Sequence, residues 1–282
     1  MKSNKYRNFS IYAFVVFFFL SIASVAAQKK IKITILHTND THSQVEPLEK
    51  NDMGGYARRM GVIDQIRAEE KNVLLLDAGD YWQGTPYFNF FNGRIEIDAM
   101  NRMKYDAVTL GNHEFDNGVD TMLSVLSEAK FSIISSNYTF ENPLLVNMIK
   151  PYTILNKDGI RIGIMALGTN PEGLIAKSNF EGVTYADPIV VANEISNILK
   201  IEKKCDLVIC LSHLGDNPTK TQITDFDVVR ATKNIDVIIG GHSHQIIENT
   251  TEKNIDGKNV IIAQMGKSGQ YLGRIDLELE KK

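Results

Sequence analysis

Short apolar runs recur along the chain and alternate with segments of helical periodicity. Most of these runs are continuous and rich in β-branched residues, which is typical of strands buried on both faces. They are IKITIL (31–36), NVLLL (72–76), DAVTL (106–110), FSIIS (131–135), IRIGIMAL (160–167), DLVICL (206–211), DVIIG (236–240) and NVIIAQM (259–265). The terminal run, GRIDLELE (273–280), alternates instead and predicts a half-exposed strand.

Helical patterns separate several of these predicted strands. They cover residues 54–71, 118–130, 187–204 and roughly 222–233, and Asp187-Pro188 is a typical helix start. Alternation of strands and helices predicts an α/β fold built in layers. The later runs lie closer together, so the pattern indicates either a partly antiparallel sheet or two packed sheets. No repeat or Pro/Gly-rich linker interrupts the pattern, which predicts one domain over residues 28–282.

The first 27 residues have the pattern of a signal peptide. Lys2, Lys5 and Arg7 precede the apolar core IYAFVVFFFLSIASV, and the small residues Val25 and Ala27 predict cleavage after Ala27. An uncleaved anchor is the alternative, but the apolar run is near the lower limit for a membrane span. We therefore expect an exported protein, periplasmic or secreted, without a membrane segment after cleavage.

Charge and cysteine content narrow the class of protein. Removing the three basic residues of the first 27 from the total of 31 leaves 28 basic against 34 acidic residues, a net charge of −6. A nucleic-acid partner is not expected, because such proteins present a basic face. The two cysteines, Cys205 and Cys210, read as small buried residues rather than a disulfide.

Polar side chains that can bind metals gather at the ends of the predicted strands. All six histidines lie there, in the segments HTNDTH (37–42), GNHEFD (111–116), SHLGD (212–216) and GGHSH (240–244), and DAGDYWQG (77–84) adds aspartates. Each segment alone could be a turn or a helix cap. Together they predict one site, because ligands collect at the carboxyl ends of strands in α/β sheets.

The residue types indicate which metal chemistry this site supports. Imidazoles, carboxylates and one amide, without a thiolate, suit zinc, manganese, iron or cobalt. The candidate ligands are too many for one tetrahedral ion. They would serve two divalent ions about 3.5–4 Å apart with a bridging carboxylate.

The order of these motifs resembles that of a known family. Asp40-x-His42, Gly79-Asp80, Gly111-Asn112-His113-Glu114, His213 and Gly241-His242-x-His244 resemble the signature of the calcineurin-like metallophosphoesterases. LHTNDTH and GNHEFD are similar to the N-terminal catalytic domain of the 5′-nucleotidase/UDP-sugar hydrolase family. The resemblance runs from about residue 32 to the end. It implies a four-layer α/β sandwich, in which two mixed β-sheets are flanked by helices.

The same resemblance implies a role for each motif residue. Asp40, His42 and His244 would hold the first metal ion, Asn112, His213 and His242 would hold the second, and Asp80 would bridge the two. Nucleotidases of this family often carry Asn or Gln where this chain has His244, which softens the assignment to that subfamily. The histidine there keeps a ligand and is common in the wider superfamily.

A mechanism follows as a hypothesis. Metal-activated hydroxide would attack the phosphorus of a phosphate ester in line with the leaving group. Asn112 would be a neutral ligand, while His113 would stabilise the transition state or protonate the leaving oxygen. Asp116 would accept from the other ring nitrogen of His113 and fix its tautomer. His37 is expected to make a structural or outer-sphere hydrogen bond. Glu114 is left unassigned between orienting a neighbour and capping a helix.

The substrate remains open between several readings. The first is a small-molecule phosphate ester, a 5′-nucleotide or a relative of one; the second is a phosphodiester or a nucleotide-sugar pyrophosphate. The resembling nucleotidases carry a C-terminal domain that recognises the nucleotide, and this chain stops at Lys282. A third reading is therefore a catalytic subunit that needs a separately encoded recognition domain. A metal-binding relative without activity is disfavoured, since a structural site needs neither His113 nor Asp116.

Overall fold

The computed structural model describes residues 30–217 and 223–280. The predicted signal peptide, residues 1–27, lies outside this part of the chain. The described strands, in chain order, are β1 (Lys30–Thr38), β2 (Val73–Asp77), β3 (Ala107–Thr109), β4 (Ser132–Ile134), β5 (Tyr138–Phe140), β6 (Ile149–Lys150), β7 (Tyr152–Lys157), β8 (Ile160–Gly168), β9 (Val183–Tyr185), β10 (Leu207–His213), β11 (Val237–Gly240), β12 (Ile246–Lys253), β13 (Asn259–Met265) and β14 (Gly273–Glu280).

The described helices lie between these strands. They are α1 (Tyr56–Glu69), α2 (Pro86–Phe91), α3 (Arg94–Met103), α4 (Gly118–Leu126), α5 (Pro143–Met148), α6 (Pro188–Asn197) and α7 (Asp225–Ala231), with 3-10 turns at His113–Phe115 and Lys177–Asn179 and a π turn at Ile198–Glu202. The predicted start of α6 is confirmed, because the Asp187 carboxylate accepts the N–H groups of Ile189 and Val190. None of the helices in the described part of the chain has the length and apolar character that a membrane crossing requires.

The strands form two large mixed sheets. The first has the order β14-β1-β2-β3-β4-β6, and the second has the order β12-β13-β11-β10-β8-β7. Within each sheet the central strands are parallel, whereas β14, β7 and β12 pair antiparallel at the edges. Strands β5 and β9 make a small separate ribbon. Both sequence-based alternatives, antiparallel pairing and two packed sheets, therefore occur together.

Three apolar layers hold the sheets and helices together. Alternate residues of a strand face opposite sides: Leu74 and Leu76 of β2 pack between the two sheets, while Val73 and Leu75 pack against helices of the first sheet. The second sheet repeats this arrangement, with α6 and α7 on its outer face. Burying each such side chain contributes roughly 1.5–3 kcal/mol. The predicted four-layer α/β sandwich is confirmed.

Some local expectations hold and one is wrong. Cys205 and Cys210 are buried and free. His37 is fully buried at the tip of β1, but within the described residues neither ring nitrogen has a hydrogen-bond partner, so the expected hydrogen bond is not made. Burial lowers the pKa of His37 to about 4, which keeps the ring neutral. Its ring packs against Gly273 of β14, where a Cβ atom would overlap it.

Candidate metal centre

The candidate ligands lie at the carboxyl ends of strands in both sheets, most of them on the loops that follow. Asp40 and His42 follow β1, Asp80 follows β2, Asn112 follows β3, His213 ends β10, and His242 and His244 follow β11. The loops after β1 and β2 are joined by backbone hydrogen bonds. Asp40 N donates to Gly79 O at 2.9 Å, and His42 N donates to Asp80 O at 3.0 Å. Parallel strands within each sheet, and the face-to-face packing of the sheets, therefore collect side chains that are far apart along the chain.

The side chains form overlapping groups that could hold a metal ion. One group is Asp40, His42 and His244, and another is Asp80, His213 and His242, with the ligand atoms of each group within 4.8 Å of one another. The first group has the same members as the first set implied by the resemblance; the second contains His213 and His242 of the second set, together with Asp80, which was expected to bridge. A third group joins Asp80 to His42 and His113, so Asp80 is close to candidate ligands of both sets.

Asn112 is a further candidate ligand, on the loop that contacts Asp80. The backbone N–H of the next residue, His113, donates to Asp80 Oδ1 at 2.9 Å, which keeps the Asn112 segment against Asp80. The Asn112 Oδ1 atom is buried, and no hydrogen-bond donor contacts it among residues 30–217 and 223–280. A buried amide oxygen without a donor is costly in apolar surroundings, and a cation would satisfy it.

The directions of the lone pairs also fit cations. His213 donates from Nδ1 to the Ala78 carbonyl at 2.7 Å, which leaves Nε2 unprotonated in the neutral ring. That Nε2 lies 3.0 Å from Asp80 Oδ2, so two acceptors face each other. In the first group, His42 Nε2 lies 3.0 Å from His244 Nε2, which is 3.4 Å from Asp40 Oδ1. Acceptors that converge in this way suit a shared cation.

The electrostatics of the groups lead to the same conclusion. Burial, together with the charge of His213, lowers the pKa of His242 to about 4, and burial also lowers the pKa of His42, so both rings are neutral as ligands must be. Burial alone would lower the pKa of His213, but the Asp80 carboxylate raises it to about 10. The carboxylates therefore require a positive charge at this position, which either a proton or a metal cation can supply.

His113 and Asp116 stand together at the rim of the centre. His113 Nδ1 lies 2.8 Å from Asp116 Oδ2, and both side chains are about a third exposed. The Asn179 side chain donates to the Asp116 carbonyl at 2.7 Å and holds that segment. Burial alone would lower the pKa of His113, but the hydrogen bond to Asp116 and the charges of Asp80 and Asp116 raise it to about 9. His113 can therefore carry a proton beside the ligand groups at neutral pH.

The backbone at the candidate ligands is unusual. Five of the seven adopt a left-handed conformation that non-glycine residues rarely populate; their φ angles are 47° at Asp40, 46° at His42, 56° at Asp80, 69° at His242 and 59° at His244. Such conformations cost of order 1–3 kcal/mol each and persist only where surrounding contacts determine them.

Buried polar side chains to which the sequence assigned neither a ligand nor a catalytic role make hydrogen bonds to these loops. Gln264 of β13 accepts from Ser243 Oγ at 3.0 Å and Gln245 N at 2.8 Å, and donates to Gly241 O at 3.0 Å. Asn39 donates to Asp40 Oδ2 at 2.7 Å and accepts from Met265 N at 2.8 Å. Glu114, whose role was open, accepts backbone N–H groups of the two loops that carry Asp80 and Asn112. Burial and the charge of Asp80 raise the pKa of Glu114 to about 8, a rise that these N–H groups oppose.

Replacing Gln264 by alanine is expected to destabilise the protein by about 3 kcal/mol, because Ser243 Oγ and Gln245 N would lose their acceptor and the buried Gly241 O would lose one of its two donors. The loop that carries His242 and His244 would relax as well. Thermal unfolding measures the effect. Gln270→Ala is the matched control, since the hydrogen bonds of Gln270 are solvent-exposed, and it should change stability by less than about 0.5 kcal/mol. Equal effects of the two changes would contradict the prediction.

Comparison with known proteins gives consistent matches. A family model described as calcineurin-like phosphoesterase matches residues 33–246. The chain is 32% identical to the trifunctional nucleotide phosphoesterase protein YfkN of Bacillus subtilis, with 89% of this chain and 18% of that protein covered. It is 33% identical to human 5′-nucleotidase, with 89% and 47% covered. The crystal structure of a 5′-nucleotidase precursor from Thermus thermophilus superimposes with a TM-score of 0.78 at 32% identity, covering 88% of this chain and 51% of that one. The chain thus spans about half or less of the length of these relatives.

Proposed function

Since this chain belongs to the calcineurin-like phosphoesterase family, we propose that it hydrolyses phosphate esters of nucleotides with two divalent cations. The observation that carries the proposal is the pair of metal-capable groups that meet at Asp80, with His113 and Asp116 beside them. The relatives support the substrate class, because one is described as a nucleotide phosphoesterase and others as 5′-nucleotidases. The pattern of residues 1–27 supports export to the periplasm or medium.

Each residue of the centre has a distinct task in this proposal. Asp40, His42 and His244 would hold one cation, Asn112, His213 and His242 would hold the other, and Asp80 would contact both. When bound, such cations supply Lewis acidity, which activates water and neutralises charge on phosphoryl oxygens. Asn112 contributes an oxygen without adding negative charge that would repel the phosphate.

His113 handles the proton of the leaving group. Asp116 accepts from Nδ1 at 2.8 Å, so Nε2 is the nitrogen that can face the substrate. A ring protonated at Nε2 donates to the leaving oxygen as the ester bond breaks, and the alcohol departs neutral. The partial exposure of both side chains gives substrate access to this proton.

Hydrolysis of a panel of phosphate esters by the purified chain tests the proposal. The assay follows inorganic phosphate from 5′-AMP, UMP from UDP-glucose, the ring-opened monophosphate from a 2′,3′-cyclic nucleotide and nitrophenol from a nitrophenyl phosphodiester, each with Mn²⁺ or Co²⁺ and again after chelation. Metal-dependent turnover of 5′-AMP is the expected result. Turnover of the cyclic nucleotide or UDP-glucose alone would reassign the substrate. Absence of turnover on every substrate with two metal ions bound would indicate that recognition depends on another polypeptide.

Changing Asp116 to asparagine should lower kcat by about 10–100-fold, because the amide no longer fixes the tautomer and charge of His113. The number of bound metal ions should stay the same, since Asp116 belongs to neither ligand group. Steady-state kinetics and metal analysis of the same preparation measure both quantities. Asp120→Asn, on the exposed first turn of α4, is the matched control and should be neutral. Loss of metal in Asp116→Asn would exclude the proposed role.

A further inference from the structure

The side chain of Glu114 connects two loops of the metal centre. It is fully buried, although it follows directly on the partly exposed His113. The 3-10 turn His113–Phe115 reverses the chain, so that Glu114 Oε2 folds back and accepts from Gly111 N at 2.6 Å. The same oxygen accepts from Asp80 N at 2.9 Å, and Oε1 accepts from Trp82 N at 3.1 Å. One carboxylate thus binds three backbone N–H groups from the loops after β2 and β3.

This connection holds the candidate ligand Asp80 directly. Its φ angle of 56° is left-handed, and the backbone N–H that this conformation presents donates to Glu114. Its Oδ1 accepts from His113 N, so the backbone and the side chain of Asp80 are both held by residues 111–114. The remaining oxygen, Oδ2, is then directed towards His213 Nε2, 3.0 Å away.

We infer that Glu114 is a positioning residue that holds Asp80 where its carboxylate can contact both cations. The inference rests on the proposed two-cation site. Carboxylate chemistry explains the choice of residue, because the three N–H groups occupy both oxygens as acceptors and favour the ionised form, against the effect of burial and of the Asp80 charge. Glutamine would place an NH₂ group against at least one backbone N–H. Alanine would leave three buried N–H groups without an acceptor.

Loss of the Glu114 carboxylate should affect metal binding first, and activity only as a consequence. Without Glu114, Asp80 would be less firmly held. This should lower the affinity for the cation that binds second, because that ion depends on a carboxylate that the first ion already contacts. Changes to groups that hold metal ligands in place typically cost 10–100-fold in affinity. Glu114→Ala should therefore weaken the second ion by about that factor, and Glu114→Gln should have a smaller effect of the same kind.

Titration of the metal-free full chain with Mn²⁺, followed by calorimetry and by paramagnetic resonance of the bound ions, tests the inference. The wild-type protein should bind two ions with a spin-coupled signal. At Mn²⁺ concentrations at which the wild-type protein holds two coupled ions, both Glu114 variants should show the signal of a single ion. Asp106→Asn is the matched control: Asp106 also accepts a backbone N–H, from Leu75 at 2.9 Å, but at the opposite end of β2 and β3. It should keep two coupled ions.

The outcomes separate this inference from the proposed function. Coupled pairs of wild-type affinity in Glu114→Gln would overturn the role of Glu114, and that variant decides the question if Glu114→Ala does not fold. A wild-type chain that binds fewer than two ions would overturn the two-cation proposal itself. A weakened second ion in Asp106→Asn as well would overturn the inference, because any carboxylate of this sheet that accepts a backbone N–H would then have the same effect.

Discussion

Replacing His113 by alanine should lower kcat by about two to four orders of magnitude, the usual contribution of a positioned general acid. In the proposed mechanism, His113 carries its proton next to the candidate ligands His42 and Asp80, and Asp116 stabilises the charged ring. Without it, the leaving oxygen must take its proton from water. The effect should be largest for esters with poor leaving groups, such as 5′-AMP, and smallest for nitrophenyl esters, whose leaving group departs without a proton. Steady-state kinetics on both kinds of ester measures this difference.

Metal content distinguishes this role from that of a ligand. One ring nitrogen of His113 lies within 4.8 Å of ligand atoms of His42 and Asp80, so distance alone is compatible with metal binding. If His113 is the acid, the alanine variant keeps both ions. Loss of one ion would assign His113 to the metal. An equal loss of kcat for 5′-AMP and the nitrophenyl ester would also contradict proton donation, because only one of them needs it.

The predicted strands agree with the structure where burial sets the pattern. The runs at 160–167, 206–211, 236–240 and 259–265 correspond closely to β8, β10, β11 and β13, because these strands are covered on both faces. Strand β12 (Ile246–Lys253) was missed, since it is an edge strand with mostly exposed residues and is defined by its pairing with β13. A strand that forms mainly by pairing with its neighbour has no apolar pattern in its own sequence.

In the candidate site, too, some residues could be predicted from the sequence and others could not. The candidate ligands could be named from the sequence because histidine and aspartate at strand ends are a specific signal, and the structure brings Asp40, His42 and His244, and also His213 and His242, close together. Glu114 stands within GNHEFD but, like Asn39 and Gln264, gave no signal for the contacts that it makes. Each binds backbone atoms of loops that are distant in sequence, and nothing in a residue's own neighbourhood records such contacts. Gln264, at the polar end of NVIIAQM, looked like an ordinary strand residue.

Changing Gly111 to alanine should abolish the binding of one or both cations and lower kcat/KM by at least about 100-fold, since a displacement of about 1 Å at a reacting centre can cost a factor of this size. A Cβ atom at this position would overlap Asp80 Oδ1 and lie 2.7 Å from His213 Nε2. The added methyl group would therefore occupy the space between two ligands of the second group. The backbone of Gly111 is not in the left-handed region, so the cause is lack of space.

Gly61→Ala is the matched control for this change. Gly61 lies on the exposed side of α1, and a Cβ atom there would meet nothing within 4 Å. Alanine is the better helix former by about 0.8–1.0 kcal/mol, so the control should gain a few degrees in melting temperature and keep full activity. Melting curves with and without Mn²⁺ complete the test. Stabilisation by Mn²⁺ should persist in Gly61→Ala and be reduced in Gly111→Ala, because only a formed metal centre couples the ion to folding. A Gly111→Ala protein that Mn²⁺ stabilises as strongly as the wild type would show that Asp80 and His213 can move apart without losing the cations, and the centre would then be less rigid than its buried hydrogen bonds imply.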